Sequence, residues 1–146
     1  KRKEVGAPIA GELSGHICFG ENYFGFDDAL YGGCLLVQLT AHGRGPLSER
    51  VAAFPQYVST PEIRIDVTEE TKFDIVQRAV DHFRRDHEVI DVDGARVLFD
   101  GGWGLLRASN TQPVLVARYE ARTPAQLDVI RSKMEGFLSS QGVAAG

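Results

Sequence analysis

The 146-residue sequence is poor in several things, and each shortage narrows what the chain can be. It has two cysteines, Cys18 and Cys34, and neither lies in a Cys-x-x-Cys pair, so there is no thiol-based metal or redox motif. Both sit in apolar surroundings and are expected to behave as small buried hydrophobes. Two lone thiols fit a reducing cytoplasm. Basic charge is also short: 16 Lys and Arg stand against 20 Asp and Glu, for a formal net charge of -4. A nucleic-acid surface usually shows a basic excess, so that class of partner is not expected. No apolar run is long enough to span a membrane. The opening run Lys1-Arg2-Lys3-Glu4 has no apolar segment behind it and reads as solvated surface rather than as a signal peptide. Internal repeats and low-complexity segments are absent.

What is present falls into recognisable elements. Asp27 and Asp28 precede a long apolar stretch from Ala29 to Ala41, and acids before such a stretch read as a helix start. Gly32-Gly33 inside that helix costs about 1 kcal/mol per residue relative to Ala, which suggests close packing against a neighbour. His42-Gly43-Arg44-Gly45-Pro46 is the best boundary candidate, with a short helix from Leu47 to Phe54 behind it and a hinge over 42–58. Thr60 to Val67 reads as one strand, with Ile63, Ile65 and Val67 on one face and Arg64 and Asp66 on the other. A helix is expected from Thr71 to about Arg85, burying Phe73, Val76, Val80 and Phe83. Its His82 is five residues from His87, a poor zinc spacing, and both histidines are expected at the surface.

Val89 to Val92 and Arg96 to Phe99 flank Asp93-Gly94, a hairpin signal. Asp91-x-Asp93-Gly94 lacks the glycine position and downstream Glu of an EF-hand. Trp103 is expected in the core. Thr123-Pro124-Ala125-Gln126 is a capping box that opens a last helix, whose buried stripe is Leu127, Ile130, Met134 and Phe137. From about residue 60 the order is strand, helix, three strands, helix. That is an α+β layer, an antiparallel sheet with helices on one face.

Two stretches carry candidate chemistry. Arg107-Ala108-Ser109-Asn110-Thr111-Gln112-Pro113 lies between two apolar strands and consists largely of hydrogen-bond donors with no acid among them. A phosphate dianion offers the matching acceptors and charge, but Ser, Asn and Pro are equally at home in a plain hairpin turn. In Gly11-Glu12-Leu13-Ser14-Gly15-His16 the polar residues Glu12, Ser14 and His16 alternate with Leu13, Gly15 and Ile17, which would put them on one face of an extended chain. Glu and Ser suit sugar hydroxyls, and His is the side chain here that would exchange a proton near neutral pH. An ordinary strand end with one solvated face would look the same.

Arg-Ala-Ser-Asn-Thr-x-Pro after Gly-Trp-Gly resembles the phosphate-binding loop of the phosphohexomutases, the phosphomannomutase/phosphoglucomutase family, and Glu12-Leu13-Ser14-Gly15-His16 resembles that family's sugar-recognition loop. The resemblance covers nearly the whole chain. It implies a phosphate site at Arg107, Ala108, Ser109, Asn110 and Thr111, and a sugar site at Glu12, Leu13, Ser14, Gly15 and His16, with His16 as a candidate acid or base. Leu13 and Ala108-Ser109-Asn110 match the hexose branch rather than the phosphoglucosamine mutases, which typically have Gln and Pro-Ser-Gly there.

The implied fold is a C-terminal TATA-binding-protein-like domain preceded by the end of an α/β domain. The expected boundaries are 1–45 for the end of the third, sugar-recognition domain and 46–146 for a linker helix plus the phosphate-binding domain. The implied activity moves a phosphoryl group between the 1- and 6-positions of a hexose. It proceeds through a phosphoserine and a hexose 1,6-bisphosphate, with Mg2+ on an Asp-rich loop. The Ser-His phosphoserine motif and the Asp-rich loop do not occur in this sequence, and position 1 is not Met. The chain is therefore expected to be a C-terminal piece of a longer enzyme, supplying sugar and phosphate recognition and inactive alone. Its expected partners are a phosphorylated hexose and the upstream domains, with no catalytic or metal site of its own. The competing reading is a free-standing module that binds a phosphorylated metabolite or a protein.

Overall fold

The computed structural model describes residues 2–12 and 15–144. The chain forms two compact units, 1–55 and 56–146. In the first, a short helix α1 (Arg2–Val5) leads to a two-stranded antiparallel hairpin, β1 (Ile9–Gly11) and β2 (Ile17–Phe19), followed by α2 (Ala29–His42) and α3 (Leu47–Ala52). Asp28 caps α2 by accepting the Tyr31 N–H at 2.9 Å, as an acid before an apolar run should. Gly32 faces the Phe19 ring at ordinary contact distance, whereas Gly33 faces open space.

No residue of α2 is buried, and Cys34 on it is exposed while Cys18 is half-buried. That corrects the expectation of two buried thiols. An apolar sequence neighbourhood does not bury a residue when the helix face it lies on has no partner layer in its own unit.

The second unit holds the core. Its sheet contains β3 (Val58–Ser59), β4 (Ile63–Asp66), β5 (Val89–Ile90), β6 (Ala95–Phe99), β7 (Gly102–Ala108) and β8 (Val114–Ala121). All pairings are antiparallel, in the order β3-β8-β7-β6-β5, with β4 also on β8. The strand expected from Thr60 to Val67 is the shorter β4, and β3, which lies before Thr60, shares the same edge of β8. Pro61 has no N–H to give the ladder, and beside it Thr60 Oγ1 accepts the Tyr119 N–H at 3.1 Å in place of a backbone partner.

Helices α4 (Lys72–Phe83) and α5 (Pro124–Ser140) pack on one face. They meet Ala95, Val97, Leu106, Leu115, Ala117 and Tyr119 of the strands in one cluster with Ile75, Val80, Phe83, Ile130, Met134 and Leu138. A methyl at Gly104 would lie 2.8 Å from Met134, so the missing side chain lets α5 seat closely. Thr123 caps α5 by accepting the Gln126 N–H at 3.3 Å. The antiparallel sheet with helices on one face is the α+β layer read from the sequence.

Three packing expectations need correction. Phe73 is 56% exposed, and the buried row of α4 is Lys72, Ile75, Ala79, Val80 and Phe83. Val76, Val80 and Phe83 keep to the packed side, and it is Lys72 rather than Phe73 that takes the first core position of the helix. Trp103 is outside the core: it lies on the helix-free sheet face, half-buried, with the Arg96 guanidinium 4.6 Å from its ring centroid and its indole N–H donating to Glu120 at 3.3 Å. Strand alternation decides this, since Gly104 and Leu106 already point at the helices. His87 is half-buried against Phe99, with ring centroids 4.6 Å apart, rather than solvated.

Candidate functional site

The donor-rich stretch closes the β7–β8 hairpin. Arg107 and Ala108 end β7, and the Ser109 N–H donates to the Val114 carbonyl at 3.0 Å. Between them the chain turns on one hydroxyl: Ser109 Oγ accepts the N–H groups of Thr111 at 3.3 Å and Gln112 at 3.2 Å. This is the local Ser turn that the plain-hairpin reading requires. It also consumes the oxygen's acceptor capacity and leaves the hydroxyl proton to be donated outward.

Other contacts fix the loop's back and side. Lys72 Nζ donates to the carbonyls of Ser109 at 2.6 Å and Gln112 at 3.3 Å, and it pairs with Glu69 at 2.6 Å. Arg64 donates to Gln112 Oε1 at 2.7 Å, and the Val67 N–H donates to the Pro113 carbonyl at 3.1 Å. Arg107 is half-buried and projects from the sheet face opposite the buried Leu106 and Ala108. Its backbone and Cβ abut Gly94, where an added methyl would lie 2.6 Å from the Arg107 Cβ and 2.5 Å from the Leu106 carbonyl oxygen. The Gly94 φ of +86° suits glycine for a second reason.

Among the described residues, no acceptor engages the Arg107 guanidinium, the Asn110 N–H or the Thr111 hydroxyl. The Ser109 hydroxyl oxygen and the Ser109 and Gln112 carbonyls are thus occupied, while several donors are unspent, an arrangement that suits an anion.

The described ends of the second stretch turn back on each other. It is the tip of the β1–β2 hairpin, where the Glu12 N–H donates to the His16 carbonyl and the Gly15 N–H to the Glu12 carbonyl, both at 3.0 Å. Strand alternation therefore ends at Gly11, because Gly15 takes a φ of +91° and turns the chain back. Leu13 and Ser14 lie outside the described residues. The turn still brings Glu12 and His16 together, with Oε1 and Nε2 3.9 Å apart.

His16 Nδ1 is 2.5 Å from Asp27 Oδ2, and the other Asp27 oxygen accepts the Ile17 N–H at 3.0 Å. The bond to Asp27, then the charges of Asp27 and Glu12, raise the His16 pKa above the ordinary histidine value. The bonds from His16 and the Ile17 N–H lower that of Asp27. Asp27 holds Nδ1, so Nε2 is the atom left to face a ligand or exchange a proton. Both groups are exposed, so solvent screens the pair.

The sequence reading missed Lys72, Gly94 and Asp27. Lys72 is hidden in a helix pattern, and Asp27 reads as part of an acidic pair that caps α2, although only Asp28 does so. Asp93-Gly94 was legible as a turn, but not the backbone it would rest on. Among the described residues no group of three or more His, Cys, Asp or Glu is placed to hold a metal ion. Among the described residues no helix is long and apolar enough to cross a membrane.

Comparisons with known proteins match both units. The family model described as phosphoglucomutase/phosphomannomutase, C-terminal domain, matches residues 62–136, and that described as phosphoglucomutase/phosphomannomutase, alpha/beta/alpha domain III, matches residues 1–57. A phosphomannomutase/phosphoglucomutase of Pseudomonas aeruginosa is 44% identical over 145 residues, covering 96% of this chain and 30% of the relative. A phosphoglucomutase of Neisseria gonorrhoeae is 41% identical over 141 residues, covering 94% of this chain and 30% of the relative. The crystal structure of a phosphoglucomutase/phosphomannomutase family protein from Burkholderia thailandensis matches with a TM-score of 0.77 at 36% identity, over 99% of this chain and 31% of that one. The chain thus spans about a third of the length of the relatives it matches.

Proposed function

We propose a function from the premise that the chain belongs to the phosphoglucomutase/phosphomannomutase family: it supplies sugar-phosphate recognition to an enzyme that interconverts hexose 1-phosphate and hexose 6-phosphate. The observation that carries this reading is the Arg107–Thr111 loop, with the Ser109 carbonyl and hydroxyl oxygen satisfied internally and its Arg, amide and hydroxyl donors unspent. Arg107 grips the non-reacting phosphate by its planar fork, and Ser109, Asn110 and Thr111 add single donors to other oxygens. Ala108 carries its neighbours through the strand end. Glu12, Leu13, Ser14, Gly15 and His16 form the sugar loop. Glu12 accepts hydroxyl protons there, and His16 Nε2 donates or exchanges a proton.

A phosphoserine on an upstream domain gives up its phosphoryl to the bound sugar phosphate and regains the other one from the 1,6-bisphosphate. Magnesium, bound by an upstream domain, would supply charge stabilisation there, and the residues of this chain are assigned to binding and orientation. Two free thiols support the cytoplasm as the compartment.

The test has two arms. Incubated with glucose 1-phosphate, glucose 1,6-bisphosphate and magnesium, the chain alone should give no turnover above a no-protein blank. Titrated with glucose 1-phosphate at millimolar concentration, it should show amide NMR shifts concentrated at Ser109 to Thr111. Turnover by the chain would sink the assignment of chemistry to other domains. A titration that leaves those amides in place would sink the phosphate site.

A further inference from the structure

We propose that Lys72 is the positioning residue of the phosphate loop, holding it from behind so that the Asn110 N–H points outward at the anion. The proposal rests on the reading of Arg107–Thr111 as a phosphate site and adds the device that shapes it. Lys72 is the first residue of α4 and is only 1% exposed. That is a poor place for an ammonium on two counts. The positive end of the helix dipole repels it, and burying a charge is costly unless it is paired and hydrogen-bonded. Both costs are met by three partners for its three protons: the carbonyls of Ser109 and Gln112 and the carboxylate of Glu69. Two of the three belong to the loop, 37 and 40 residues away in sequence.

Peptide planarity then fixes what faces the other way. In a trans peptide the C=O and N–H point in opposite directions, and the described chain has no cis peptide. Drawing the Ser109 carbonyl inward onto Lys72 therefore turns the Asn110 N–H outward, and that N–H has no acceptor among the described residues. The Gln112 carbonyl belongs to the peptide with Pro113, which has no N–H, so that second anchor wastes no donor. Glu69 balances the ammonium's charge, so Lys72 acts on the anion by shaping the loop rather than by long-range attraction.

The test is a titration of the chain with inorganic phosphate, followed by amide and Arg side-chain NMR shifts, in wild type, Lys72→Met and Glu69→Gln. Met keeps the apolar stem and removes the three donors. At saturation in wild type the Asn110 amide should be among the most shifted. Lys72→Met should weaken phosphate binding at least 10-fold and abolish the Asn110 shift, with β6 and α5 amides in place. Glu69→Gln, which leaves both carbonyl contacts, should stay within about twofold of wild type.

If Lys72→Met melts earlier but binds phosphate with an unchanged Asn110 shift, Lys72 is merely structural and the proposal falls. A loss in Glu69→Gln as large as in Lys72→Met also overturns it, because the charge pair would then carry the effect. Should Lys72→Met fail to fold, wild type decides: a still Asn110 amide beside a moving Arg107 side chain refutes the proposal and leaves the phosphate site standing. If neither moves, the phosphate reading itself is wrong, and the proposal goes with it.

Discussion

The two loops proposed as recognition sites are built by opposite means. The Arg107–Thr111 loop closes a hairpin in the middle of a six-stranded sheet and is anchored by a lysine that is 1% exposed. The Glu12–His16 loop closes a two-stranded hairpin and is tied at the surface, by an Asp27–His16 pair whose side chains are 41% and 63% exposed. A phosphate is a fixed tetrahedron of acceptors, and a rigid set of donors suits it. On the proposed function a hexose is taken in two orientations with different hydroxyls presented, and a loop held by screened, titratable contacts can adjust to it. The comparison teaches where each loop is vulnerable: the first to anything that moves its backbone, the second to pH.

The largest effect should come from Arg107. On the proposed function, both Arg107→Ala and Arg107→Lys in the full-length enzyme should lower kcat/KM by roughly 10- to 100-fold, since a charged hydrogen bond is worth about 1.5–3 kcal/mol and an ammonium cannot copy a two-point grip. The melting temperature should hardly change, because the guanidinium makes no described contact whose loss would loosen the hairpin. A Lys variant close to wild type would mean that only charge matters there. Early melting of both variants would make Arg107 a structural residue.

Next in size is Gly94→Ala, which strikes the backbone beneath Arg107. Its methyl must displace the Leu106 carbonyl oxygen from 2.5 Å in a φ of +86° that alanine dislikes. Strain of this kind costs about 1–3 kcal/mol. For a unit of this size that lowers the melting temperature by roughly 5–15 °C. Phosphate affinity should fall with it, whereas amide shifts of Glu12 and His16 should not move. An undisturbed second unit would show that the hairpin gives way easily, against the rigid half of the comparison.

Much of the second unit was legible because its signals are local. The apolar strand that follows the donor-rich stretch, the Thr123 cap and the Ile130, Met134 and Phe137 stripe follow from apolar patterning, capping chemistry and helical period, and they recur in the fold. What failed depended on other elements. Lys72 occupies a core position because the loop it serves lies 37 residues on, and no helical pattern predicts that a lysine will outrank Phe73 for burial. Trp103 sits on the helix-free face because Gly104 and Leu106 took the inner one. At the other site, alternation suggested an extended Glu12–His16 stretch, yet Gly15 closes a turn. The link to Asp27, 11 residues away, has no sequence signature.

The smallest effect, and the one that probes the surface-held loop, is the titration of His16. Its pKa is raised above 6.5, first by the hydrogen bond to Asp27, then by the charges of Asp27 and Glu12. A raised histidine stabilises the fold fully below its unfolded value, and the contribution is lost as pH rises through the raised value. Asp27 behaves in the opposite sense. Its pKa is lowered from 3.8, so its contribution is present above that and is lost as pH falls through the lowered value. The pair is therefore whole in the window between the two. Because both side chains are exposed, the melting temperature should barely follow pH across the upper edge of the window. The sensitive measurement is the His16 ring signal by NMR. Its midpoint should lie above 6.5, Asp27→Asn should bring it down, and Glu12→Gln should lower it less, since the Glu12 charge is the smaller cause. A wild-type midpoint at or below the ordinary histidine value would dissolve the pair, and with it the claim that pH tunes one loop and leaves the other alone.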